Sequence, residues 1–256
     1  MKQKAKELAH DLKLWLEDQD ENLLDIPDSL TVPVPRENNL TENTKTDSAA
    51  NTMTLETLKE KVLACRDCPL GKYRLNAVFG VGNPHAKLMF IGEGPGFQED
   101  HQGEPFVGRS GQLLDKIMET VLGLKRSDVF IANIVKCHPM KNPETPEEHS
   151  NDRPPTAEEI AVCRHYLEEQ ISLIKPLCIV PLGSVAAKFL LNTTQGISFL
   201  RGRTYDFKSD NVRNIGHTIK IIPTYHPAAL LRNPNLKRDT WYDIKLVKAL
   251  LASSEQ

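Results

Sequence analysis

Four cysteines are the residues of this 256-residue chain whose spacing most clearly permits chemistry. Cys65 and Cys68 form a Cys-x2-Cys pair followed by proline, while Cys137 and Cys163 lie far downstream. A Cys-x2-Cys segment directs two thiolates at one centre, so two further thiolates suggest a tetrathiolate site. On spacing alone a zinc ion, an iron–sulfur cluster and a redox disulfide all remain open. Cys178 lies in an apolar run, which predicts a small buried side chain.

A glycine-rich segment, Gly-Glu-Gly-Pro-Gly at residues 92–96, places carboxylates beside a backbone that can approach a ligand closely. It matches neither the dinucleotide-binding nor the P-loop pattern, and Pro95 removes one backbone donor. Glu93, Glu99 and Asp100 are its local carboxylates, and such groups can serve as acid or base. A ligand-binding loop and a tight turn with solvated acids both fit this segment.

Three more side chains have types that suit a nucleobase ligand. Phe106, among turn formers, could stack on a base or pack in the core. Asn133 comes near the end of an apolar run, where an amide reads the edge of a base or caps backbone groups. His226 precedes Pro227, which restricts its backbone and suits an aimed imidazole, catalytic or structural.

The hydrophobic pattern predicts the elements that position these residues. Apolar runs predict buried strands at residues 87–91, 129–135, 177–182 and 219–223. Helical patterns occur at residues 111–122, 156–174, 184–191 and 235–251, and a further helix begins after Thr54. This alternation predicts a three-layer α/β/α domain around a mainly parallel four-stranded sheet. Ligands of such sheets bind at the carboxyl ends of the strands, which is where the glycine segment, Asn133 and His226 fall.

Composition divides the chain near residue 53. Residues 1–17 have the leucine spacing of a short amphipathic helix, a candidate partner-binding segment, and residues 18–53 read as a flexible acidic linker. Residues 54–256 are then the catalytic domain. The last 57 residues hold ten basic and five acidic groups, which permits a phosphate-facing surface or an ordinary solvated face. We expect no membrane segment and a cytoplasmic location, because an apolar signal core is missing and the thiols suit a reducing compartment.

Taken in order, these segments resemble the iron–sulfur uracil-DNA glycosylases, the family-four branch of the uracil-DNA glycosylase superfamily. The matching stretches are Cys-Arg-Asp-Cys-Pro-Leu, Gly-Glu-Gly-Pro-Gly-Phe-Gln-Glu-Asp, Pro-Phe-Val-Gly-Arg-Ser-Gly, Asn-Ile-Val-Lys-Cys and His-Pro-Ala-Ala-Leu-Leu-Arg. The resemblance implies a base-excision repair enzyme that hydrolyses the N-glycosidic bond of uracil flipped out of DNA and leaves an abasic site. It also implies a [4Fe–4S] cluster, mainly architectural, whose four ligands are Cys65, Cys68, Cys137 and Cys163.

The resemblance assigns roles to the candidate residues. Phe106 would stack on uracil, Asn133 would bond its polar edge, and His226 would bond the carbonyl oxygen that gains negative charge as the glycosidic bond breaks. Gly94 stands where other branches of the superfamily carry aspartate. The water-activating base would then be Glu93 or Glu99, with Glu99 preferred.

The remaining implied contacts concern DNA. Leu230 or Leu231 would enter the duplex as a wedge, and Arg232 would hold phosphate. A longer acidic loop between the last two cysteines leaves both Asn142 and Asn151 as matches for a second uracil-binding asparagine, and Asn142 is taken here. We expect a monomer that acts on uracil-containing DNA, single- or double-stranded. The alternative is a non-enzymatic protein, carrying a metal or cluster, that binds nucleic acid or senses redox state.

Overall fold

The computed structural model describes residues 53–212 and 215–254. The helix predicted at residues 1–17 and nearly all of the predicted linker therefore lie outside the described residues. Among the described helices, none combines the length and apolar character that crossing a membrane requires.

A six-stranded mixed sheet forms the centre of the fold. Its strands are β1 (Val81–Gly82), β2 (Leu88–Gly92), β3 (Phe130–Asn133), β4 (Cys178–Pro181), β5 (Tyr205–Asp206) and β6 (Lys220–Ile221). The spatial order is β1-β3-β2-β4-β6-β5, in which the four inner strands are parallel and the two edge strands are antiparallel. The predicted α/β class is confirmed. The predicted strand count of four was wrong, because a two-residue edge strand is too short to leave a hydrophobic pattern.

Helices flank this sheet. They are α1 (Leu55–Ala64), α2 (Pro69–Tyr73), α3 (Phe97–Gln102), α4 (Arg109–Ile117), α5 (Ala157–Ile174), α6 (Ser184–Leu191), α7 (Ile197–Leu200), α8 (Pro227–Arg232) and α9 (Leu236–Ser253). A π-helical turn, Met118–Leu122, extends α4. Capping explains two of the starts: the Thr54 and Thr156 hydroxyls accept hydrogen bonds from backbone N–H groups in the first turns of α1 and α5.

The register of the inner strands brings the candidate residues to one edge of the sheet. β2 is buried along its whole length between β3 and β4. Gly92 at its end pairs with Asn133 at the end of β3, and Leu182 beyond β4 bridges to Thr224 beyond β6. The glycine segment, Asn133 and the residues before His226 therefore meet at the carboxyl edge, as the strand-end argument predicts.

Candidate active site

A cavity of about 600 Å³ opens at this carboxyl edge. Among its lining residues are seven that the sequence singled out: Glu93, Gly94, Glu99, Phe106, Asn133, His226 and Arg232. The structure thus brings together side chains from the ends of β2, β3 and β6 and from the loop before α4.

Phe106 is held in place by hydrogen bonds around its own backbone. Its φ of 55° lies in the left-handed region that non-glycine residues rarely adopt, and its side chain is buried. The Arg126 guanidinium donates to the Phe106 carbonyl oxygen at 3.0 Å. One Glu99 carboxylate oxygen accepts from the backbone N–H groups of Val107 and Gly108 at 3.0 and 3.2 Å. These bonds fix the direction of the ring towards the cavity.

Two glycines allow Phe106 and Asn133 to approach each other. A Cβ atom at Gly92 would overlap Asn133 Oδ1 and would lie 2.7 Å from the Phe106 ring. A Cβ atom at Gly111 would overlap the Phe106 carbonyl oxygen. Glycine is required at both positions for steric reasons, because real Cβ atoms do not approach this closely.

Asn133 carries an unused acceptor. Its side chain is 2 % exposed, and its Oδ1 has no hydrogen-bond partner among the residues that the structure describes. Leaving a buried polar atom unpaired costs about 1–3 kcal/mol, so such an atom at a cavity wall points to a ligand donor. An N–H group on a planar heterocycle has the required chemistry.

His226 presents a neutral imidazole with one free donor. Its Nδ1 accepts a hydrogen bond from the backbone N–H of Ala228 at 3.1 Å, which caps α8. Burial, assisted by the Arg232 charge, lowers the pKa of His226 to about 4. Since a neutral ring carries one hydrogen and Nδ1 is an acceptor here, Nε2–H is the donor left for a ligand. Gly183, at φ 90°, lets this strand end pack against His226, where an added Cβ would lie 3.0 Å from the His226 Cβ.

The two candidate carboxylates differ in what they bond. The Glu99 side chain accepts hydrogen bonds from three backbone N–H groups, those of Gly96, Val107 and Gly108. The Glu93 side chain forms no hydrogen bond with another residue in the described ranges, and burial raises the pKa of its carboxyl. The Glu99 oxygens thus brace the loop that holds Phe106, whereas the Glu93 carboxylate makes no such bonds. The preference for Glu99 as base stays a prediction.

Asn142 is a second correction. It is exposed and does not line the cavity, and its side-chain oxygen accepts from the backbone N–H of Glu144 at 3.3 Å. The buried Asn151 side chain instead clamps the loop by bonding the Asn142 backbone N–H and carbonyl at 2.8 and 2.7 Å. Both asparagines hold the longer loop together, so neither presents an amide to the cavity.

Asp152, which the sequence did not single out, does line the cavity. Its carboxylate accepts from Nε2 of the fully buried His138 at 2.6 Å, and His138 Nδ1 lies 3.6 Å from Asp100, an ion-pair distance rather than a hydrogen bond. Burial opposes the charged ring, but the two carboxylates outweigh burial and raise the pKa of His138 to about 9. No sequence signal marked Asp152, because its place depends on how the longer loop folds back.

The two leucines of α8 differ in burial. Leu230 is fully buried, whereas Leu231 is partly exposed and Arg232 is exposed at the cavity. Leu230 as an intercalating wedge is therefore corrected, because it packs in the core. Leu231 remains the candidate.

The four predicted ligand cysteines line a second, small cavity, together with Arg74 and Lys136. An Arg74 N–H donates to Cys137 Sγ at 2.9 Å, and the backbone N–H of Lys136 donates to Cys163 Sγ at 3.4 Å. In the described part of the chain, no three His, Cys, Asp or Glu side chains are close enough to hold a single metal ion. The four cysteines thus converge on one small cavity, while Cys178 lies apart, buried in β4.

Comparison with known proteins places this chain in a family. The model of the uracil DNA glycosylase superfamily matches residues 79–250. The chain belongs to this superfamily.

Within the superfamily, the chain is similar to type-4 uracil-DNA glycosylases. It is 41 % identical to the one from Sulfurisphaera tokodaii over 200 residues, which cover 77 % of this chain and 84 % of that protein. The type-4 enzyme from Saccharolobus solfataricus is 41 % identical, over 78 % of this chain and 87 % of its own length. The enzyme from Archaeoglobus fulgidus is 39 % identical, over 78 % and 95 %.

Proposed function

We propose that this chain is a uracil-DNA glycosylase, which hydrolyses the N-glycosidic bond of uracil flipped out of DNA and leaves an abasic site. One observation carries the proposal: an aromatic ring, an unpaired amide oxygen and a neutral imidazole donor, from Phe106, Asn133 and His226, line one cavity. These are the groups needed to stack on a pyrimidine, to read its imide N–H and to bond its carbonyl oxygen.

Recognition of uracil follows from the unpaired Asn133 oxygen. Oδ1 accepts the N3–H of uracil, which satisfies the acceptor that is unpaired without ligand. Cytosine has no hydrogen on N3, so in its place two acceptors would face each other. Phe106 stacks on the face of the base, and flipping is needed because the target atoms are inaccessible inside a duplex. Selectivity against cytosine thus rests on one buried hydrogen bond, the kind of contact whose loss is expensive.

His226 stabilises the leaving base. As the glycosidic bond breaks, the bonding electron pair goes to uracil, and negative charge spreads onto its carbonyl oxygens while the sugar gains oxocarbenium character. The fixed Nε2–H of His226 donates to the carbonyl oxygen at this stage. Removing one such donor costs about 10²–10³-fold in kcat in comparable oxyanion sites. Because the pKa of His226 is about 4, its ring is neutral at neutral pH. A neutral imidazole donates a hydrogen bond to the carbonyl oxygen without transferring its proton to the base.

Glu93 acts on the sugar side of the bond. Its carboxylate, free of other hydrogen bonds among the described residues, stabilises the oxocarbenium ion and accepts a proton from the attacking water. A pKa raised by burial suits a base that operates near neutral pH. Gly94, next in sequence, has no room for a side chain, since a Cβ there would lie 2.8 Å from the Val135 side chain.

We propose that Cys65, Cys68, Cys137 and Cys163 hold a [4Fe–4S] cluster. The support is their convergence on one cavity, with N–H donors to two of the sulfurs. Held by these four cysteines, the cluster would contribute architecture and would tie the α1–α2 segment and α5 to the loop after β3. Cys137 lies four residues beyond Asn133, so this tie supports the uracil-reading strand end.

The remaining assignments concern the larger assembly. We propose that Arg232 contacts phosphate and that Leu231 fills the space left by the flipped base, in single- or double-stranded DNA. We also propose that the protein acts as a monomer. We assign the activity to residues 54–256, a cytoplasmic location to the protein, and a partner-binding role to residues 1–17.

The proposal is tested with matched oligonucleotides that carry uracil, thymine or cytosine at one position. Alkaline treatment converts abasic sites to breaks, so cluster-loaded protein should give breaks at uracil alone. Equal affinity for uracil and thymine DNA with no breaks would instead support the non-enzymatic nucleic-acid-binding alternative.

A further inference from the structure

Phe199 is an exposed aromatic residue on the short helix α7. Its side chain is 53 % exposed, the highest value among the large hydrophobic residues that the structure describes. Ile197 on the same helix lines the cavity. The hydroxyl of Ser198 lies 3.5 Å from the hydroxyl of Tyr225, another lining residue. Helix α7 therefore borders the cavity, and Phe199 lies on this helix without lining the cavity itself.

Arg203 accompanies this ring. Its guanidinium carbon lies 5.0 Å from the centroid of the Phe199 ring, within cation–π range. Arg203 is exposed and forms no ion pair with a carboxylate in the described ranges, so its charge is available to an anion. Arg201 differs, because it is paired with the buried Asp243 at 2.8 Å and fixes the loop between α7 and β5.

We propose that Phe199 and Arg203 bind the nucleotide adjacent to the flipped uracil, with the ring stacking on its base and the guanidinium contacting its phosphate. The proposal rests on the proposed function and extends it to the flanking DNA. Flipping one nucleotide out leaves the face of its neighbour unstacked, and an exposed aromatic ring covers such a face. The basic excess of the last 57 residues complements the phosphates.

The occupant follows from the chemistry of the pair. A solvent-exposed phenylalanine that carries an unpaired arginine presents a π-face and a cation side by side, which matches one nucleotide. Stacking on an aromatic side chain is not base-specific, since every base has a π-face. The contact should therefore raise affinity for DNA around uracil without choosing the neighbouring base.

The test is a cycle of protein and substrate changes. Single-stranded uracil oligonucleotides are prepared with the base on one side, then on the other, replaced by a stable abasic spacer. With the unmodified oligonucleotide, Phe199→Ala should raise KM about five-fold or more and leave kcat unchanged. The spacer on one side should raise KM of the wild-type protein by a similar factor but should change KM of Phe199→Ala little, because both changes remove the same contact.

Two variants complete the design. Arg203→Gln should reduce the salt dependence of DNA binding by about one unit of slope, as expected for one lost phosphate contact. Tyr242→Ala is the matched control: Tyr242 is 46 % exposed on α9, has Arg238 at 5.9 Å over its ring and does not line the cavity. Its KM should equal that of the wild type.

Each of three results would overturn the proposal. KM could be unchanged in Phe199→Ala, the spacer and the Phe199→Ala variant could raise KM independently of each other, or Tyr242→Ala could raise KM as much as Phe199→Ala does. The same cycle is measured as Kd by fluorescence anisotropy in a His226→Ala background, where turnover does not interfere. Absent uracil excision by the wild-type protein would refute the proposed function, whereas the Kd cycle decides the Phe199 contact separately.

Discussion

The Phe106 ring and the His226 imidazole lie with their centroids 5.5 Å apart and their planes inclined by 30°. The two residues are far apart in sequence: Phe106 lies before α4 and His226 lies after β6. Gly92, Gly111 and Gly183 make room for this pair and for Asn133. Phe106 and His226 therefore form one packed unit, and a change at either backbone should disturb both.

His226→Ala should lower kcat for uracil excision by about 10²–10³-fold, since it removes one fixed donor to the developing anion. Single-turnover rates on a uracil oligonucleotide measure this. His85→Ala, at an exposed histidine outside the cavity, is the control and should react at the wild-type rate. A His226→Ala rate within a few-fold of wild type would remove His226 from the mechanism.

Gly92→Ala should abolish most uracil excision, because the added methyl group displaces the Asn133 amide and the Phe106 ring. The matched control is Gly196→Ala, where the added Cβ meets no atom within 4 Å. Melting temperatures of both variants separate loss of the site from loss of the fold. Full activity in a folded Gly92→Ala protein would show that the close approach of the two side chains is unnecessary.

The pH dependence of kcat/KM should follow Glu93 rather than His226. Glu93 can accept a proton from water only when its carboxyl is ionised. Since burial raises the pKa of this carboxyl, activity should fall as pH decreases through that raised pKa. His226, with a pKa of about 4, stays neutral over the same range. Glu93→Gln should therefore be slow and should lose the acid limb.

Glu99→Gln is the companion variant for that pH profile. It should keep the acid limb and lower the melting temperature, since the amide cannot accept all three backbone hydrogen bonds equally well. If the acid limb disappears in Glu99→Gln and persists in Glu93→Gln, the two roles are reversed.

Cluster content should depend on the four clustered cysteines and not on the fifth. Anaerobically purified wild-type protein should show broad visible absorption, with four iron and four sulfide per chain. Cys137→Ser should lose this absorption and weaken DNA binding, since Cys137 follows the Asn133 strand end. Cys178→Ala, in the core of β4, should keep its iron. One zinc per chain in place of iron would contradict the assignment.

Substitution of the two leucines of α8 should have different effects, one on stability and the other on DNA binding. Leu230→Ala should lower the free energy of unfolding by about 2–5 kcal/mol, as expected for a truncated core leucine. Leu231→Ala should melt like wild type and excise uracil more slowly from duplex than from single-stranded DNA. Denaturant unfolding and rates on both substrates distinguish them, and an unchanged duplex rate in Leu231→Ala would rule out the wedge.

The sequence predicts those parts of the site that strand ends and local motifs determine. Asn133 and His226 follow apolar runs, so the strand-end rule located both before any contact was known. Phe106 needed the structure to separate stacking from core packing, because its direction depends on Arg126 and on the Glu99 side chain.

What the sequence missed depends on contacts between distant segments. Glu99 is identified as a brace only by its bonds to Val107 and Gly108, which lie beyond the end of α3. The bonds between Asn142 and Asn151 fold the longer loop so that Asp152, rather than either amide, faces the cavity. Hydrophobic periodicity carries no information about such side-chain clamps.

The most direct test of the central claim is release of free uracil from a single-stranded oligonucleotide in one turnover. Cluster-loaded wild-type protein should release one uracil per oligonucleotide, with no release of thymine from the matched strand and almost none of uracil by Asn133→Ala. No free uracil from the wild-type protein, or equal release by Asn133→Ala, would contradict the account.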